Sequence, residues 1–376
     1  MEIQNKIKWT REHMPVVEKI RQDFLGKKPF LGLKIGACLH LTKETAILLM
    51  AIQDGGAEVF ACASNPLSTQ DDVVEYLINE RKMVVYGKKG MSEDEYKNYL
   101  NIVANVKADF VIDDGADLTT EIQKTQNIFP KAGLEETTTG VTRIRNMNLQ
   151  YPIIAVNDAQ TKHFFDNVYG TGQSTIDGII RATNILLAGK VFVIAGYGYC
   201  GKGLAQRAKG MGCNVIVTEI DPVKALQAYM DGFQVMPMIK AAMKGDIFVT
   251  VTGSINVITL RDMSLMKKGV ILANSGHFDL EINVKYAKTF SSINLLAEGR
   301  LVNLSCAEGH PSEVMDMSFS NMALGLEYLV NNYQDLTSKV YLIPEEIDSK
   351  IALLKLGTLG IEIDKETEEQ INYKKS

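Results

Sequence analysis

Little in this sequence points to cross-linking, export or a polyanionic partner. Its five cysteines, Cys38, Cys62, Cys200, Cys213 and Cys306, are odd in number, widely spaced and form no CxxC pair. A disulfide framework and a zinc or other metal site are therefore not expected; reduced, mostly buried thiols are. The most apolar long stretch, Gly178 to Gly198, is broken by Arg181 and Lys190, well short of the roughly 20 apolar residues that span a bilayer. The opening MEIQNKIKWTREH is charged throughout and lacks the apolar segment of an export signal. The expectation is a cytoplasmic chain without a membrane span. Lys and Arg number 40 against 45 Asp and Glu, a formal charge of -5, which supplies no basic field to hold nucleic acid.

What is present is the composition of an ordinary folded protein, 46% apolar and 23% charged over 376 residues, enough for two or three domains. From Lys28 onward short apolar runs alternate with helix-length amphipathic segments, the order that builds parallel α/β sheets. A first series comprises KIGACLH (34–40), AEVFACAS (57–64), KMVVYG and ADFVIDDG (108–115), with helices over 42–52, from about Thr69 to Arg81 and from near Ser92. Ser68 or Thr69 is a candidate cap for the second of these helices. A second series follows Gly189: KVFVIA (190–195), NVIVTE (214–219), GFQVMPM (232–238), DIFVTVTG (246–253), GVILANSG (269–276) and RLVNLS (300–305). Their apolar positions are consecutive, which suits strands covered on both faces. Between the series the polar, glycine-punctuated stretch 157–178 reads as a hinge and cleft lining, and the segment after Gly309 reads as a helix.

The strongest local motif is KVFVIAGYGYCGKG, where Gly196, Gly198 and Gly201 form GxGxxG between a strand and a helix, with Glu219 ending the next strand. Glycines there let backbone amides approach a pyrophosphate at a helix N-terminus, and an acid at the next strand end accepts from ribose hydroxyls, favouring NAD over NADP. Lys224 stands close enough in sequence to neutralise Glu219. Other polar clusters fall where strands should end: LHLTKET (39–45), DDGADLT (113–119), EETTTG (135–140) and NDAQTKHFFDN (157–167). Read alone, His40 is a general acid/base or a half-buried histidine, and Asp113–Asp114 a perturbed acid pair or a turn. Glu135 and Glu136 precede three threonines that cap a helix or turn. Lys162, Asp166 and Asn167 are a cleft-facing base with a hydrogen-bonding pair, or a solvated hinge surface.

Together these segments resemble the S-adenosylhomocysteine hydrolase (adenosylhomocysteinase) family from Gly36 to about Gly360, with LHLTKETA, SNPLSTQDD, DDGADLT, EETTTGV, VNDAQTK, FDNVYG, IAGYGYCGKG, VTEIDP, NSGHFDLEI, LAEGRLVNL and GHPS in order. The resemblance implies an α/β fold of two doubly wound parallel-sheet domains joined by a hinge, with a short C-terminal segment. It divides the chain into a substrate-binding domain (1–157 and 310–350), a hinge (158–173), a Rossmann NAD-binding domain (174–309) and a C-terminal helical segment (351–376). It implies a homotetramer of the methyl cycle of one-carbon metabolism, which hydrolyses a nucleoside thioether on tightly held NAD through a 3′-ketone.

By the same resemblance Lys162 assists loss of the 3′-hydroxyl proton, with its pKa depressed by the cleft, while Asp166, Glu136 and Thr137 hold the ribose. His40 and Asp114 move protons at C4′ and C5′, and Thr42 and Glu44 meet the purine edge. Thr137, Thr138, Thr139, Asn167, Glu219, the three glycines and Asn303, which anchors the nicotinamide carboxamide, form the cofactor site, with Gly309 and His310 as hinge and gate. The chain departs from the family at Asp262, set against a histidine that pairs with the acid matched by Asp114, and at Thr171, Gly172-Gln173, Glu308 and Glu313. Its end, INYKKS, lacks the longer lysine- and tyrosine-bearing tail of many members. Alternatives with the same 3′-oxidation are S-inosylhomocysteine hydrolysis, or hydration or epimerisation of another nucleoside; a different class is an NAD-binding regulatory homologue.

Overall fold

The computed structural model describes residues 2–125, 128–276 and 279–375. Two all-parallel sheets organise it. The first has seven strands: β1 Lys34–Leu39, β2 Glu58–Ala63, β3 Val84–Tyr86, β4 Phe110–Asp113, β5 Ala132–Glu135, β6 Ile153–Ala155 and, near the other end of the chain, β13 Val340–Leu342. The second has six: β7 Val191–Ala195, β8 Asn214–Thr218, β9 Gln234–Val235, β10 Ile247–Thr250, β11 Val270–Asn274 and β12 Ile293–Leu295. Runs such as FVID in β4 and VILAN in β11 are buried at every position; with helices on both faces, neither side of the sheet meets water.

The strand orders place the functional loops. In the first sheet the order is β13-β6-β5-β4-β1-β2-β3, so the chain leaves β1 toward β2 and later returns to β1's other side as β4. In the second it is β12-β11-β10-β7-β8-β9, with the same reversal between β7 and β10. At each reversal the connections diverge to opposite faces and leave a crevice at the carboxyl ends of the strands. His40 and Asp114 follow β1 and β4 directly; the glycine loop follows β7, and Val251 follows β10.

Several elements differ from the sequence-level expectation. Residues 300–305 are not a strand: Leu301 makes one isolated bridge to Asn274, and Val302–Ser305 is a helical turn. The strand beside β11 is β12 instead, and β5, β6 and β13 carry runs of only three or four residues, too short for periodicity to single out. The stretch 157–178 is helical rather than open loop, passing from Gln160–Lys162 through a π-helical segment, His163–Gly170, into Thr171–Thr183. Of its polar residues, Lys162, Asp166 and Asn167 are buried and line the cleft, as the cleft-facing alternative expects. The helix at 71–79 begins later than expected, at Gln70, without a side-chain cap.

Helix Ser312–Asn332 packs on the first sheet's side of the molecule, where buried Asp316 accepts from the backbone N–H groups of Val16 (3.0 Å) and Val17 (2.9 Å) and from Lys355 Nζ (2.8 Å). One carboxylate thus ties together the N-terminus of helix Pro15–Lys27, the long helix and the helix Glu345–Thr358. That last helix crosses the expected 350/351 boundary without a break. No helix among the described residues is long and apolar enough to cross a membrane.

Candidate active site

The two crevices open into one cleft of about 520 Å³ lined from both sheets. Of the residues singled out from sequence, it brings together His40, Thr42, Glu44, Asp114, Glu136, Thr137, Thr138, Thr139, Lys162, Asp166, Asn167, Gly198, Asn303 and His310. Gly196, Gly201 and Glu219 are not among its lining residues, although Glu219 bonds the glycine loop at the Tyr197 N–H (2.7 Å).

At its centre Lys162 is buried, and its Nζ donates to Asn157 Oδ1 (3.2 Å), Asp166 Oδ1 (3.1 Å) and Asn167 Oδ1 (3.1 Å), with Glu136 Oε1 at 3.9 Å. The second Asp166 oxygen meets Ser318 Oγ (3.1 Å) and His310 Nδ1 (3.3 Å), so the long helix and the GHPS loop both converge on it. Burial alone would depress the lysine, but the Asp166 and Glu136 carboxylates outweigh it and hold the ammonium above its ordinary value. The expected depressed pKa is therefore corrected: in the free cleft Lys162 is charged. Asp166, opposed by burial but faced by Lys162 and His310, lies far below the usual carboxylate range. Glu136 goes the other way. Burial, reinforced by Asp166 and Asp114 and opposed by Lys162, pushes it up to about 8, and neither of its oxygens has a well-formed hydrogen bond.

Facing this cluster, His40 is set by Ser68 Oγ at Nδ1 (2.5 Å) and by Asp114 Oδ2, 3.7 Å from Nε2. Ser68, a candidate helix cap from sequence, instead orients the imidazole, while Thr69 Oγ1 donates to the Asn65 carbonyl (2.9 Å). Asp114 Oδ1 is buried and unpaired. The adjacent acids in DDG and EE have divided roles. Asp113 points inward and takes the Thr119 N–H (2.6 Å), with burial pushing it up to about 7. Glu135 lies under both loops, accepting from the N–H groups of Gly115, Ala116 and Thr137 at 2.9–3.0 Å. Asp114 and Glu136 are thereby left free to face the cleft.

Thr42 caps helix Lys43–Asp54, as its position before an apolar-periodic run allows. Glu44 is buried; its Oε1 accepts from Ser312 Oγ (2.7 Å) and Lys43 Nζ (3.1 Å). Thr137 caps helix Thr138–Arg145, and Thr138 Oγ1 donates to Asn157 Oδ1 (3.1 Å). Ser318 and Ser312 were not legible as site residues, because each acts through a partner far away in sequence; Asn157, five residues before Lys162, lies in the polar cluster 157–167 but was not singled out within it.

A dinucleotide fits the second half of the cleft. Gly196 has φ +106°, and a Cβ at Gly201 would lie 2.1 Å from the Gly196 carbonyl oxygen, so the turn and the close packing both require glycine. Nothing stands within 4 Å of a Cβ placed at Gly198, which leaves the approach open. Asn303 donates to Ser174 Oγ (3.1 Å) while its Oδ1 is buried without a partner, an acceptor suited to a carboxamide N–H. Glu219 Oε1 takes the N–H groups of Ile220 (2.7 Å) and Asp221 (3.0 Å), whereas Oε2 takes that of Tyr197 (2.7 Å) and keeps lone-pair capacity for a hydroxyl. Lys224 does not neutralise it: its ion-pair partner is Asp221, 3.9 Å away, which caps the helix Pro222–Met230 in whose first turn Lys224 lies.

Asp262 does not face Asp114. Its carboxylate closes a capping box with Thr259 at the start of helix Leu260–Met263, outside the cleft lining. The ring that meets Asp114 among the described residues is His40. His277 and Phe278 of the NSGHFDLEI motif lie outside the described residues. Thr171 Oγ1 lies 3.4 Å from His310 Nε2, and Gly172 packs against the Gly203 backbone.

Residues 3–133 match the family model for S-adenosyl-L-homocysteine hydrolase, and residues 167–294 match the model for its NAD-binding domain. An adenosylhomocysteinase from Aquifex aeolicus is 54% identical, covering 98% of this chain and 94% of the relative. An S-inosyl-L-homocysteine hydrolase from Methanocaldococcus jannaschii is 50% identical over 98% of this chain and 95% of that protein. Among solved structures, a dipicolinate synthase from Bacillus halodurans superposes with a TM-score of 0.55 at 13% identity, over 80% of this chain and 99% of that one. That likeness speaks for the two-sheet α/β fold alone.

Proposed function

The chain belongs to the S-adenosyl-L-homocysteine hydrolase family, with an NAD-binding domain, and on that premise we propose that it cleaves the C5′–sulfur bond of S-adenosyl-L-homocysteine with water, releasing homocysteine and adenosine. The observation that carries this reading is the buried Glu136–Lys162–Asp166 cluster facing His40 and Asp114 across one cleft.

NAD, when bound, takes up the C3′ hydride and returns it, so the net reaction is a hydrolysis. Backbone amides of the loop through Gly196, Gly198 and Gly201 hold its pyrophosphate, Glu219 its adenosine ribose and Asn303 its carboxamide, with Thr137, Thr138, Thr139, Asn167 and His310 along the wall. Two neighbours share the removal of the O3′ proton. Lys162, kept cationic by Asp166, stabilises negative charge at O3′, and Glu136, which ionises near 8, receives the proton. A ketone at C3′ acidifies the proton on C4′, and His40, oriented by Ser68 and paired with Asp114, moves protons at C4′ and at the departing sulfur. Water then adds at C5′ by the reverse sequence. Thr42 and Glu44 hold the purine edge.

The division of labour along the chain follows: residues 1–157 with 310–350 bind substrate, 158–173 form the hinge and 174–309 bind NAD. The same reading carries a cytoplasmic homotetramer serving the methyl cycle. Val223, Leu226, Tyr229 and Met230, exposed on helix Pro222–Met230, supply an apolar surface of the kind subunits cover.

The test is product analysis with S-adenosyl- and S-inosylhomocysteine, following free thiol and the absorbance of reduced cofactor together. Thiol release from either thioether supports the hydrolase. Rapid cofactor reduction without thiol from either one replaces it with a hydratase or epimerase.

A further inference from the structure

Resting on the hydrolase reading, we propose that His163 is a positioning residue for the oxidation at C3′: as a neutral imidazole stacked on Tyr199, it sets the orientation of the Asn167 amide and, through that amide, the seat of Lys162. His163 opens the π-helical segment directly after Lys162 and stands half-buried in the cleft wall. Its ring lies on that of Tyr199, with centroids 4.5 Å apart and planes 11° from parallel. Tyr199 is the first residue of the helix that follows the glycine loop, and it lines the cleft as well. The stack thus joins the segment that carries Lys162 to the loop assigned to the cofactor pyrophosphate. At the edge of the same ring, Nδ1 of His163 is 3.2 Å from Nδ2 of Asn167.

Donor and acceptor chemistry fixes the direction of each contact. An ammonium only donates, so the amide oxygen of Asn167 must face Lys162 Nζ, 3.1 Å away, and its NH2 group is left to face the imidazole. That group also only donates. Nδ1 must therefore accept, and the single ring proton stands on Nε2. The surroundings favour this neutral form: burial and the adjacent Lys162 ammonium hold the imidazole below its ordinary value, against the pull of Asp158, Asp166 and Asp348. Two of those acids are committed elsewhere, Asp158 to Arg145 and Asp348 to the N–H groups of Gln160 and Thr161. From the glycine-loop side the facing groups are Tyr199 and the Lys202 ammonium, 5.9 Å from the centre of the Tyr199 ring. Protonation at Nδ1 sets N–H against N–H, and the Asn167 amide has to turn over. A turned amide offers Lys162 a donor in place of an acceptor, and the lysine loses one of its three hydrogen-bond partners. His163 thus acts on the oxidation through Asn167 and Lys162.

The experiment compares the NAD-loaded wild type with His163→Asn, whose amide oxygen stands in for Nδ1 but takes no proton, and with His163→Phe, which keeps a ring on Tyr199 and removes the acceptor. Cofactor reduction by S-adenosylhomocysteine is followed against pH. Above the histidine range His163→Phe should be slower about 2- to 10-fold, the worth of one net hydrogen bond, and His163→Asn should recover part of that loss. The ratio of wild-type to His163→Asn rate should fall as pH drops through about 6.5 and below, because only the wild type is protonated there; taking the ratio cancels the Glu136 limb common to both. A flat ratio, or His163→Phe at the wild-type rate, overturns the proposal and leaves the hydrolase reading intact. A wild type that reduces no cofactor overturns both. Nitrogen chemical shifts of the five histidines in the labelled holoenzyme supply a second readout: the His163 ring should be neutral with its proton on Nε2, and a proton on Nδ1 overturns the proposal. Should the His163 variants not fold, this tautomer decides, the signal being assigned by the ring-current shift it loses in Tyr199→Ala.

Discussion

Lys162 Nζ lies 3.1 Å from Asp166 Oδ1, one turn further along the same helical segment, and this contact decides which proton-transfer roles the cleft can support. With Asp166 ionised beside it, the lysine holds its proton, and the group poised to accept one becomes Glu136.

The pH dependence follows from that arrangement. Glu136 acts as a base only when ionised, and its value near 8 lies above that of a free carboxylate. Cofactor reduction by substrate should therefore rise as pH increases through about 8. In Glu136→Gln that limb should vanish and the rate should fall about 10²- to 10⁴-fold. Stopped-flow absorbance of reduced cofactor against pH is the measurement. A rise with pH that persists in Glu136→Gln would return the base role to Lys162.

Asn303→Ala removes the buried, unpartnered Oδ1 together with the bond to Ser174. If this oxygen holds the carboxamide, the variant should retain its fold by circular dichroism but copurify with less NAD than the wild type, which should be near-stoichiometric. Nucleotide released on denaturation gives the occupancy. Equal occupancy in the two proteins would remove Asn303 from the cofactor site.

Asp348, on helix Glu345–Thr358, accepts from the backbone N–H of Gln160 (2.7 Å) and Thr161 (3.0 Å) and from the Thr161 hydroxyl. It supplies from a distant helix the N-terminal cap that the Lys162 segment lacks locally. Asp348→Ala should cost about 0.5–2 kcal/mol of stability, read from urea unfolding. Because the capped turn carries Lys162, the rate of cofactor reduction should fall as well.

Gly140→Ala places a Cβ 2.0 Å from Glu135 Oε1, beneath the loops that carry Asp114 and Glu136. The carboxylate cannot retreat without abandoning three backbone N–H groups. The expected loss is about 1–3 kcal/mol from overpacking, seen as a lowered Tm, together with impaired thiol release. An unchanged Tm would show that Glu135 has room to move.

Asp316→Ala breaks a buried pair and frees two helix N-terminal N–H groups. Removal of one buried partner costs about 3–5 kcal/mol. The double variant Asp316→Leu with Lys355→Met should recover part of the loss, since no charge then remains unpaired. Thermal unfolding of the single and double variants tests this.

Much of this protein is determined by sequence alone, because the relevant physics is local. Consecutive apolar residues bounded by turns specify strands buried on both faces. Gly196 and Gly201 are demanded by a turn and a close backbone approach a few residues away. The order of motifs indicates the family and NAD. The misread segments are those where local signals mislead. Residues 157–178, read as a hinge and cleft lining, do line the cleft, and what their polar, glycine-punctuated composition conceals is that they are helical. RLVNLS looks like a strand because an apolar run of that length suits either element, and the sheet beside it was already completed by β12. Charge states and partners belong to the tertiary structure. Ser68 faces His40 rather than a helix end, Lys224 faces Asp221 rather than Glu219, and Asp262 faces Thr259 rather than Asp114. Lys162 is cationic because Asp166 and Glu136 outweigh its burial, and Glu136 is proton-prone because it is buried beside Asp166 and Asp114. A pKa depends on burial and on charges a few ångströms away, and those distances exist only after the two sheets and the returning helix have closed on one another.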